Sequence, residues 1–164
     1  MEGKLEWVIR EIDEFDNKEL KTVLSSVMIE FGVPKKGTAL SDPELKEMSK
    51  AYKDYRSTYF VIENDNKIFG GAGISQLKNS KENICELQKM YFLKDARGIG
   101  LGKKMIKKCI SKAVKYKYDM CYIETMNNMK SAQMLYLSQG FKYLDKPLGN
   151  TGHTSCPVWM LKKI

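Results

Sequence analysis

The segment that most constrains this chain is a glycine turn, Arg97-Gly-Ile-Gly-Leu-Gly, between a predicted strand and a predicted helix. The apolar run Ile84–Leu93 precedes the turn, and an amphipathic helical pattern follows it to about Lys117. Closely spaced glycines let backbone N–H groups converge on one anion, and the following helix adds its unpaired N-terminal N–H groups and its dipole. The turn therefore predicts a binding site for phosphate groups.

Two familiar phosphate-binding patterns do not fit this turn. A P-loop requires glycine at position 97 and serine or threonine at position 104, where this chain has Arg97 and Lys104. A dinucleotide-binding fingerprint that starts at Gly98 requires a third glycine where the chain has Lys103. It also requires an acid at the end of the next strand, whereas Asp119 precedes that strand. The pattern that remains is R-G-x-G-x-G after a strand.

The rest of the pattern predicts one α/β domain over residues 1–164 with a mixed sheet. Within one strand, the run Gly70-Gly-Ala-Gly73 predicts a bulge, a close approach of substrate, or small residues packed under a helix. The predicted elements, in chain order, are the strand Trp7–Ile12, the helices Asn17–Phe31 and Pro43–Tyr55, the strands Ser57–Glu63, Lys67–Leu77 and Ile84–Leu93, the helix after the glycine turn, the strand Met120–Thr125, the helix Ser131–Gln139, and the strands Phe141–Leu144 and Val158–Lys162.

Positive charge is concentrated in the C-terminal part of the chain. The formal net charge is +8, yet residues 1–94 hold 15 Lys and Arg against 16 Asp and Glu, while residues 95–164 hold 13 against 4. Between Gly98 and Tyr118 there are seven lysines and no acid. Such a stripe attracts a phosphorylated cofactor, nucleic acid or an anionic membrane, and it is equally typical of a solvated helix face.

Composition argues against several classes of protein. The chain has no apolar run near the roughly 18 residues that a membrane span needs, so we expect no membrane partner. Its four cysteines are widely spaced and it has one histidine, so we expect reduced thiols and no metal site. The first residues, Met1 to Glu6, lack the basic start and apolar stretch of a signal peptide, and we expect a cytoplasmic protein.

The glycine turn resembles a known motif. R-G-x-G-x-G resembles the acetyl-CoA-binding signature Q/R-x-x-G-x-G/A of the GNAT superfamily of N-acetyltransferases, and the segment from Leu135 to Phe141 resembles that family's L-Y-x-x-x-G-F. The order of predicted elements is similar over nearly the whole chain, with specific motifs only between about 84 and 141. The resemblance implies a mixed, mostly antiparallel sheet of about six or seven strands, about four helices, and a parallel strand pair that splays apart to bind the cofactor.

The same resemblance implies where acetyl-CoA binds. Backbone amides of the turn hold the pyrophosphate, and the main chain at the end of the preceding strand pairs with the pantetheine arm like an added strand. Asn128 is expected near that arm, although the family's own asparagine, seven residues before the helix tyrosine, is Met129 here. The implied cofactor-binding residues are Met90, Tyr91, Phe92, Arg97, Gly98, Ile99, Gly100, Leu101, Gly102, Lys103 and Asn128.

Two side chains are implied as catalytic. Tyr136 matches the family tyrosine that protonates the departing thiolate, and a phenol is a competent acid toward a thiolate. Glu86 is the candidate general base, acting directly or through a water on the acceptor ammonium, with Glu124 on the next strand as the alternative. Strict alternation places Glu86 on the same strand face as Met90 and Phe92. The alternatives without a catalytic role are that Tyr136 only packs on its helix and that Glu86 is a sheet-edge or salt-bridged glutamate.

Other residues are candidates for the acceptor side. Residues 31–55 are expected to form its wall. His153, in the loop 149–156, either binds or relays a proton at the acceptor pocket or is a surface residue. The family generally transfers the acetyl group directly, and nothing in the sequence marks Cys121 or Cys156 as an activated nucleophile.

We therefore expect an acetyl-CoA-dependent N-acetyltransferase that acts directly on a primary amine, with a small molecule as the default acceptor. Three alternatives stay open: a non-catalytic CoA-binding or sensing domain, an acetyltransferase of a protein N-terminus or lysine, and a nucleic-acid binder that uses the lysine helix. Against the last, there is no recognition motif, and only Tyr116 and Tyr118 interrupt the lysines, so we expect no nucleic-acid partner. A homodimer is common in the family, and the sequence does not decide it.

Overall fold

The computed structural model describes residues 6–164 and contains a seven-stranded sheet and four α-helices. Residues 1–5, most of the segment inspected above for a signal peptide, lie outside the described residues. The elements, in chain order, are β1 (Val8–Glu11), α1 (Asn17–Glu30), α2 (Met48–Ala51), β2 (Thr58–Asn64), β3 (Lys67–Gln76), β4 (Ile84–Phe92), α3 (Leu101–Lys115), β5 (Met120–Thr125), α4 (Lys130–Ser138), β6 (Lys142–Leu144) and β7 (Val158–Lys163).

The sheet has the strand order β1-β2-β3-β4-β5-β7-β6. All neighbouring strands are antiparallel except β4 and β5, which run parallel because α3 crosses over between them. One apolar core lies between the sheet and α3 with α4, and a second lies between the opposite face and α1 with α2. The expected mixed, mostly antiparallel sheet with one parallel pair is confirmed. Within residues 6–164, no helix has the length and apolar character that crossing a membrane requires.

The predicted bounds of the second helix, Pro43–Tyr55, are wrong, because the chain does not form one continuous helix there. The chain forms a 3-10 turn at Pro43–Lys46 and then the single turn α2, and between them Glu47 leaves the helical region with φ −137° and ψ 56°. The first of these turns is held from outside, because the carboxylate of Glu44 binds the buried ammonium of Lys89. This tertiary contact competes with local helix preference, which is a weak determinant of structure.

A bulge at Lys89 interrupts β4. Lys89 has a left-handed φ of 49°, and β4 has one residue more than β3 between their neighbouring paired positions. Side-chain alternation therefore inverts past the bulge, so that Met90 and Phe92 join Leu87 in the core beside α3. Glu86 faces the other side of the sheet, where it belongs to a hydrogen-bonded group beside the core under α1. The predicted common face of Glu86, Met90 and Phe92 is wrong for this reason.

The glycines of β3 make room for the ring of Tyr59. A Cβ atom built at Gly71 or at Gly73 lies 2.5 Å from an atom of that ring, so neither position accepts a side chain without movement. Tyr59 crosses these glycines and donates a 2.8 Å hydrogen bond to the carbonyl of Lys89. The bulge thus has a partner for its backbone. The glycines therefore accommodate an aromatic ring, and a bulge also lies beside them, because β3 has one residue more than β2 between the pairs Ile62–Gly70 and Glu63–Ile68.

The side chain of Lys89 ties a distant segment to β4. Its side chain is only 2% exposed, and its Nζ lies 3.1 Å from Asp42 and 2.5 Å from Glu44. Burial lowers the pKa of Lys89, but the two carboxylates outweigh burial, and the net shift is upward. The ammonium therefore stays charged and holds the start of the 43–46 turn against the middle of the sheet.

Replacing Lys89 with methionine should lower the free energy of unfolding by about 2–4 kcal/mol, because Asp42 and Glu44 lose their shared cation. Urea unfolding at neutral pH measures the change. Lys50→Met is the control, since Lys50 pairs with Glu47 at 3.8 Å while its side chain is 78% exposed. Its loss should cost less than about 0.5 kcal/mol. Equal stability of the two variants would show that the buried ion pairs do not hold this segment.

Candidate active site

The strands β4 and β5 part shortly after they begin. They pair at three positions only, and the last pair is Glu86 with Tyr122. The bulge at Lys89 follows directly, and a bulge bends the strand that carries it. Beyond this fork lies a cleft of about 780 Å³, a size typical of pockets for small molecules and cofactors.

The glycine turn forms one end of the cleft. Gly98 and Gly100 have left-handed φ values of 72° and 86°, and Gly100 is the N-cap of α3. No side chain caps this helix, and the first backbone bond into it runs from Lys104 N–H to the Gly100 carbonyl. Within the described chain, the backbone N–H groups of residues 98–103 donate to no hydrogen-bond acceptor. They can therefore receive an anion together with the positive end of the helix dipole.

All but two of the predicted cofactor residues line this cleft. Ile99 is 53% exposed and Leu101 is buried in the core, so neither side chain reaches it. Their predicted role uses only backbone N–H groups and stays a prediction. The predicted residues that line the cleft are Met90, Tyr91, Phe92, Arg97, Gly98, Gly100, Gly102, Lys103, Asn128 and Tyr136.

Several lining residues were not identified as such from the sequence. Val27 on α1 and Phe31, the residue that follows this helix, continue its apolar stripe, and periodicity alone does not separate a cleft wall from a core. Met129 at the start of α4 occupies the position where the family has asparagine, and it accepts a 3.6 Å hydrogen bond from the hydroxyl of Thr125. Leu135 on α4 packs against Gly102 on α3. A Cβ atom at Gly102 would lie 2.7 Å from Cδ2 of Leu135, so the glycine allows the two helices to approach each other.

Two polar side chains join the end of α1 to the cleft. The guanidinium of Arg97 donates to both carboxylate oxygens of Glu30 at 2.7 and 3.0 Å, and its Nε donates to the Phe92 carbonyl at 2.8 Å. The side-chain amide of Asn128 donates to the Phe31 carbonyl at 2.7 Å. The side chain of Arg97 is thus directed to α1, and its backbone N–H donates to the Lys94 carbonyl at 3.1 Å, so the predicted phosphate-binding role of the Arg97 amide is wrong in this structure.

Tyr136 lies in the wall of the cleft on α4. It is 5% exposed, and its ring meets that of Phe141 edge to face at 6.0 Å. None of the hydrogen bonds within the described residues involves its hydroxyl, and since no fully enclosed polar side-chain atom there lacks a partner, this hydroxyl is open to the cleft. Burial is the main cause of a raised pKa for Tyr136, so the phenol keeps its proton at neutral pH. A protonated, unpaired phenol beside a cofactor cleft is suited to act as a general acid.

Glu86 stands at the fork within a cluster of ionisable groups. Ligand atoms of Glu86, Glu124 and His153 all lie within 4.8 Å of one another. Glu86 is 4% exposed and accepts a 2.6 Å hydrogen bond from the amide of Gln88, whose oxygen accepts one from Tyr52. These residue types also bind divalent cations, and the expectation of a metal-free site stays a prediction.

The other two members of this cluster are held by neighbouring groups. Glu124 accepts hydrogen bonds from the hydroxyls of Tyr122, at 2.8 Å, and Thr151, at 2.6 Å. Nε2 of His153 lies 3.0 and 3.1 Å from the two carboxylate oxygens of Asp42. The hydrogen bond with Asp42 raises the pKa of His153 despite partial burial. The sequence offered His153 as an alternative only, and the structure puts it beside both candidate bases.

The cysteines named above carry protonated thiols. A hydrogen bond with Cys85, followed by burial, raises the pKa of Cys121 well above its ordinary value. Burial and nearby carboxylates raise the pKa of Cys156 to about 12. A thiol that keeps its proton is a poor nucleophile, which agrees with a mechanism that does not pass through an acetylated cysteine.

The cleft suits an elongated, phosphorylated carrier that lies between two diverging strands with its phosphates at the glycine turn. This is the architecture of coenzyme-A-dependent acyltransferases. Residues 25–141 match the family model described as acetyltransferase (GNAT) family, and the chain belongs to that family. It is an N-acetyltransferase that uses acetyl-CoA.

Similar proteins agree with this assignment. YjgM of Escherichia coli K12, an uncharacterised N-acetyltransferase, is 39% identical over 158 residues, which cover 96% of this chain and 95% of that protein. A GNAT-family acetyltransferase of Staphylococcus aureus Mu50 has a TM-score of 0.85 at 23% identity, covering 96% of this chain and 99% of that one. The phosphinothricin acetyltransferase of Sinorhizobium meliloti, in complex with acetyl-CoA, has a TM-score of 0.77 at 16% identity, covering 96% and 88%. The two structures support the fold alone.

Gly100→Val should weaken acetyl-CoA binding by about 10- to 100-fold, because a branched residue is strained at a φ of 86° and the turn must change shape. Titration calorimetry with acetyl-CoA measures the Kd. Gly152→Val is the matched control, since Gly152 has a φ of 79° and, like Gly100, open space around its Cβ position, but lies outside the cleft. An unchanged Kd for Gly100→Val would overturn the role of this turn in binding phosphate.

Proposed function

We propose that the protein transfers the acetyl group directly from acetyl-CoA to the primary amine of a small molecule, with Glu86 as general base, Tyr136 as general acid and no metal. One observation carries this proposal: the residue at the fork of β4 and β5 is a buried carboxylate whose pKa lies near neutral pH. A base with such a pKa combines a useful fraction of the deprotonated form with a useful affinity for a proton.

The proposed role of Glu86 is to remove a proton from the acceptor ammonium. Burial and then the charge of Glu124 raise the pKa of Glu86 to about 7, in opposition to the hydrogen bond from Gln88. The charge of His153, which lies within 4.8 Å of Glu86, opposes this rise and favours the return of the proton to water after transfer. Asp42 holds the ring of His153 in this position.

The proposed transfer step balances without a further reactant. The free amine nitrogen attacks the thioester carbonyl carbon and forms the C–N bond, while the C–S bond breaks and its electrons go to sulfur. Tyr136 gives its proton to the departing thiolate. The protonated amide that forms first gives its second proton to water, and water returns a proton to the Tyr136 phenolate. The cleft excludes bulk water from the carbonyl during these events.

The closure of two loops supports a small acceptor. Ser155 donates from its N–H to the Gly37 carbonyl and from its hydroxyl to the Lys36 carbonyl, both at 3.0 Å. His153 and Asp42 make a further contact between the same loops. We call the space around Glu86, Glu124 and His153 the chamber, and its closure on this side leaves less room for a protein terminus or an extended peptide than for a small amine. A homodimer, common in the family, stays part of the prediction.

Titration of the purified protein with acetyl-CoA tests the donor side, with dephospho-CoA as the control. Saturable binding with one cofactor per chain is expected, because the turn and the first turn of α3 supply one phosphate site. A panel of small amines then tests transfer by the release of free thiol. Absence of acetyl-CoA binding at millimolar concentration would overturn the proposal, and binding without thiol release from any amine would favour a sensing domain.

The rate should depend on pH through Glu86. At saturating amine, kcat should rise with pH up to about 7 and then level off, since the base is protonated and inactive below its pKa. Glu86→Gln should lower kcat by about 100-fold or more and remove this dependence. Glu82→Gln, an exposed glutamate just before β4, is the control and should leave the profile unchanged. A wild-type profile in Glu86→Gln would exclude Glu86 as the base.

Tyr136→Phe should lower kcat by about 10- to 100-fold and leave the Kd of acetyl-CoA within about twofold of wild type, because the ring remains and only the proton donor is lost. Stopped-flow thiol release and calorimetry give the two quantities. Tyr55→Phe removes a hydroxyl from a residue that is 90% exposed, and neither quantity should change. An equal kcat in Tyr136→Phe would remove this residue from the mechanism.

A further inference from the structure

We propose that the acceptor is an amine with no carboxylate on the carbon that bears its nitrogen, such as an aliphatic or aromatic monoamine or a diamine, and that Glu124 enforces this choice against α-amino acids. This proposal rests on the proposed function, since it takes the reacting nitrogen to lie at Glu86. It follows from how the charges around that residue are paired.

The cations of this chamber already have anionic partners. The charged side chains here are four carboxylates and two cations, namely Asp42, Glu44, Glu86, Glu124, Lys89 and His153. Lys89 is only 2% exposed and contacts Asp42 and Glu44. Nε2 of His153 is directed to Asp42. Each cation thus already has a carboxylate partner of the protein within 3.1 Å.

The two glutamates in the cluster have only neutral hydrogen-bond donors. Glu86 receives the amide of Gln88, and Glu124 receives the hydroxyls of Tyr122 and Thr151. Within residues 6–164, neither carboxylate has a lysine or arginine within 4.0 Å, and the cation that lies within 4.8 Å of both, His153, is already paired with Asp42. They therefore form the anionic part of the chamber, and an ammonium group is the complementary ligand.

The geometry of an α-amino acid conflicts with this arrangement. Its carboxyl carbon lies about 2.5 Å from the amine nitrogen, since only one carbon separates them. A nitrogen that reaches Glu86 thus brings the carboxylate into the space shared with Glu124. When Glu86 takes the amine proton it becomes neutral, but Glu124 stays as the opposing charge. A carboxylate several bonds away from the reacting nitrogen escapes this repulsion.

Matched pairs of acceptors test the proposal by thiol release. Tyramine is compared with tyrosine and agmatine with arginine, because each pair differs by one carboxylate beside the reacting amine. We expect kcat/KM, corrected for the fraction of free amine, to be about 100-fold or more higher for the amine. Tyrosinamide keeps the bulk without the charge and should lie within about tenfold of tyramine. A slow reaction of tyrosinamide, equal to that of tyrosine, would overturn the electrostatic explanation.

The variant Glu124→Gln tests the residue. It keeps the side-chain length and an oxygen that accepts a hydrogen bond, so the preference for tyramine over tyrosine should fall by about tenfold while the Kd of acetyl-CoA stays unchanged. Glu47→Gln, whose side chain is 66% exposed on the turn that precedes α2, is the matched control and should keep the wild-type preference. An unchanged preference in Glu124→Gln would remove this residue from specificity.

The outcomes separate this proposal from the one on which it rests. Turnover of amines and amino acids with similar kcat/KM supports the transferase mechanism and overturns the inference about charge. If the protein binds acetyl-CoA but no member of the panel releases thiol, both proposals are overturned: the small amine acceptor and the selection against a carboxylate beside the amine. A preference for amino acids would show that a cation of the chamber leaves its partner to bind the ligand.

Discussion

The buried ion pairs of Lys89 are the interaction on which the rest of this structure depends. A lysine with a left-handed φ in a central strand costs free energy for two reasons: its backbone conformation is disfavoured, and its charge is removed from water. The hydroxyl of Tyr59 binds its carbonyl, and Asp42 and Glu44 bind its ammonium. Each partner imposes a further requirement. The ring of Tyr59 requires glycine on the neighbouring strand β3, and the two carboxylates hold the 42–46 segment against β4, where Asp42 also contacts His153.

The bulge at Lys89 also divides β4 into two parts with separate tasks. Before it, Glu86 faces the side of α1, where the loops of Asp42 and His153 meet. After it, Met90 and Phe92 return to the core beside α3, and the strand borders the cleft that contains Tyr136. Without the extra residue, Met90 would have the same orientation as Glu86, and the strand would present one continuous face. The donor and acceptor sides can therefore meet along one strand, and the fork with β5 begins where the tasks change.

Sequence reasoning reached the parts of this arrangement that depend on local chemistry. The turn at Gly98 and Gly100 could be predicted because glycine adopts left-handed φ values at no steric cost, and both residues have them. The bulge at Lys89 could not, because strand alternation is read on the assumption that no residue is inserted, and lysine gives no local signal of a positive φ. The contact between Asp42 and His153 spans 111 residues and depends on the packing of two loops, which no motif encodes.

The charges on the two sides of the fork give the substrates opposite environments. The cleft wall includes four basic residues, Lys94, Arg97, Lys103 and Lys130, and no acid among the described residues, whereas the chamber at Glu86 has four carboxylates and two paired cations. An anionic cofactor is thus attracted to one side and a cationic amine to the other, and each is repelled from the site of its partner. Acetylation converts the ammonium into a neutral amide, so the product loses the charge that attracted the acceptor. On the proposed function, the chamber therefore attracts the charged acceptor more strongly than the neutral product, which favours release of the product after each transfer.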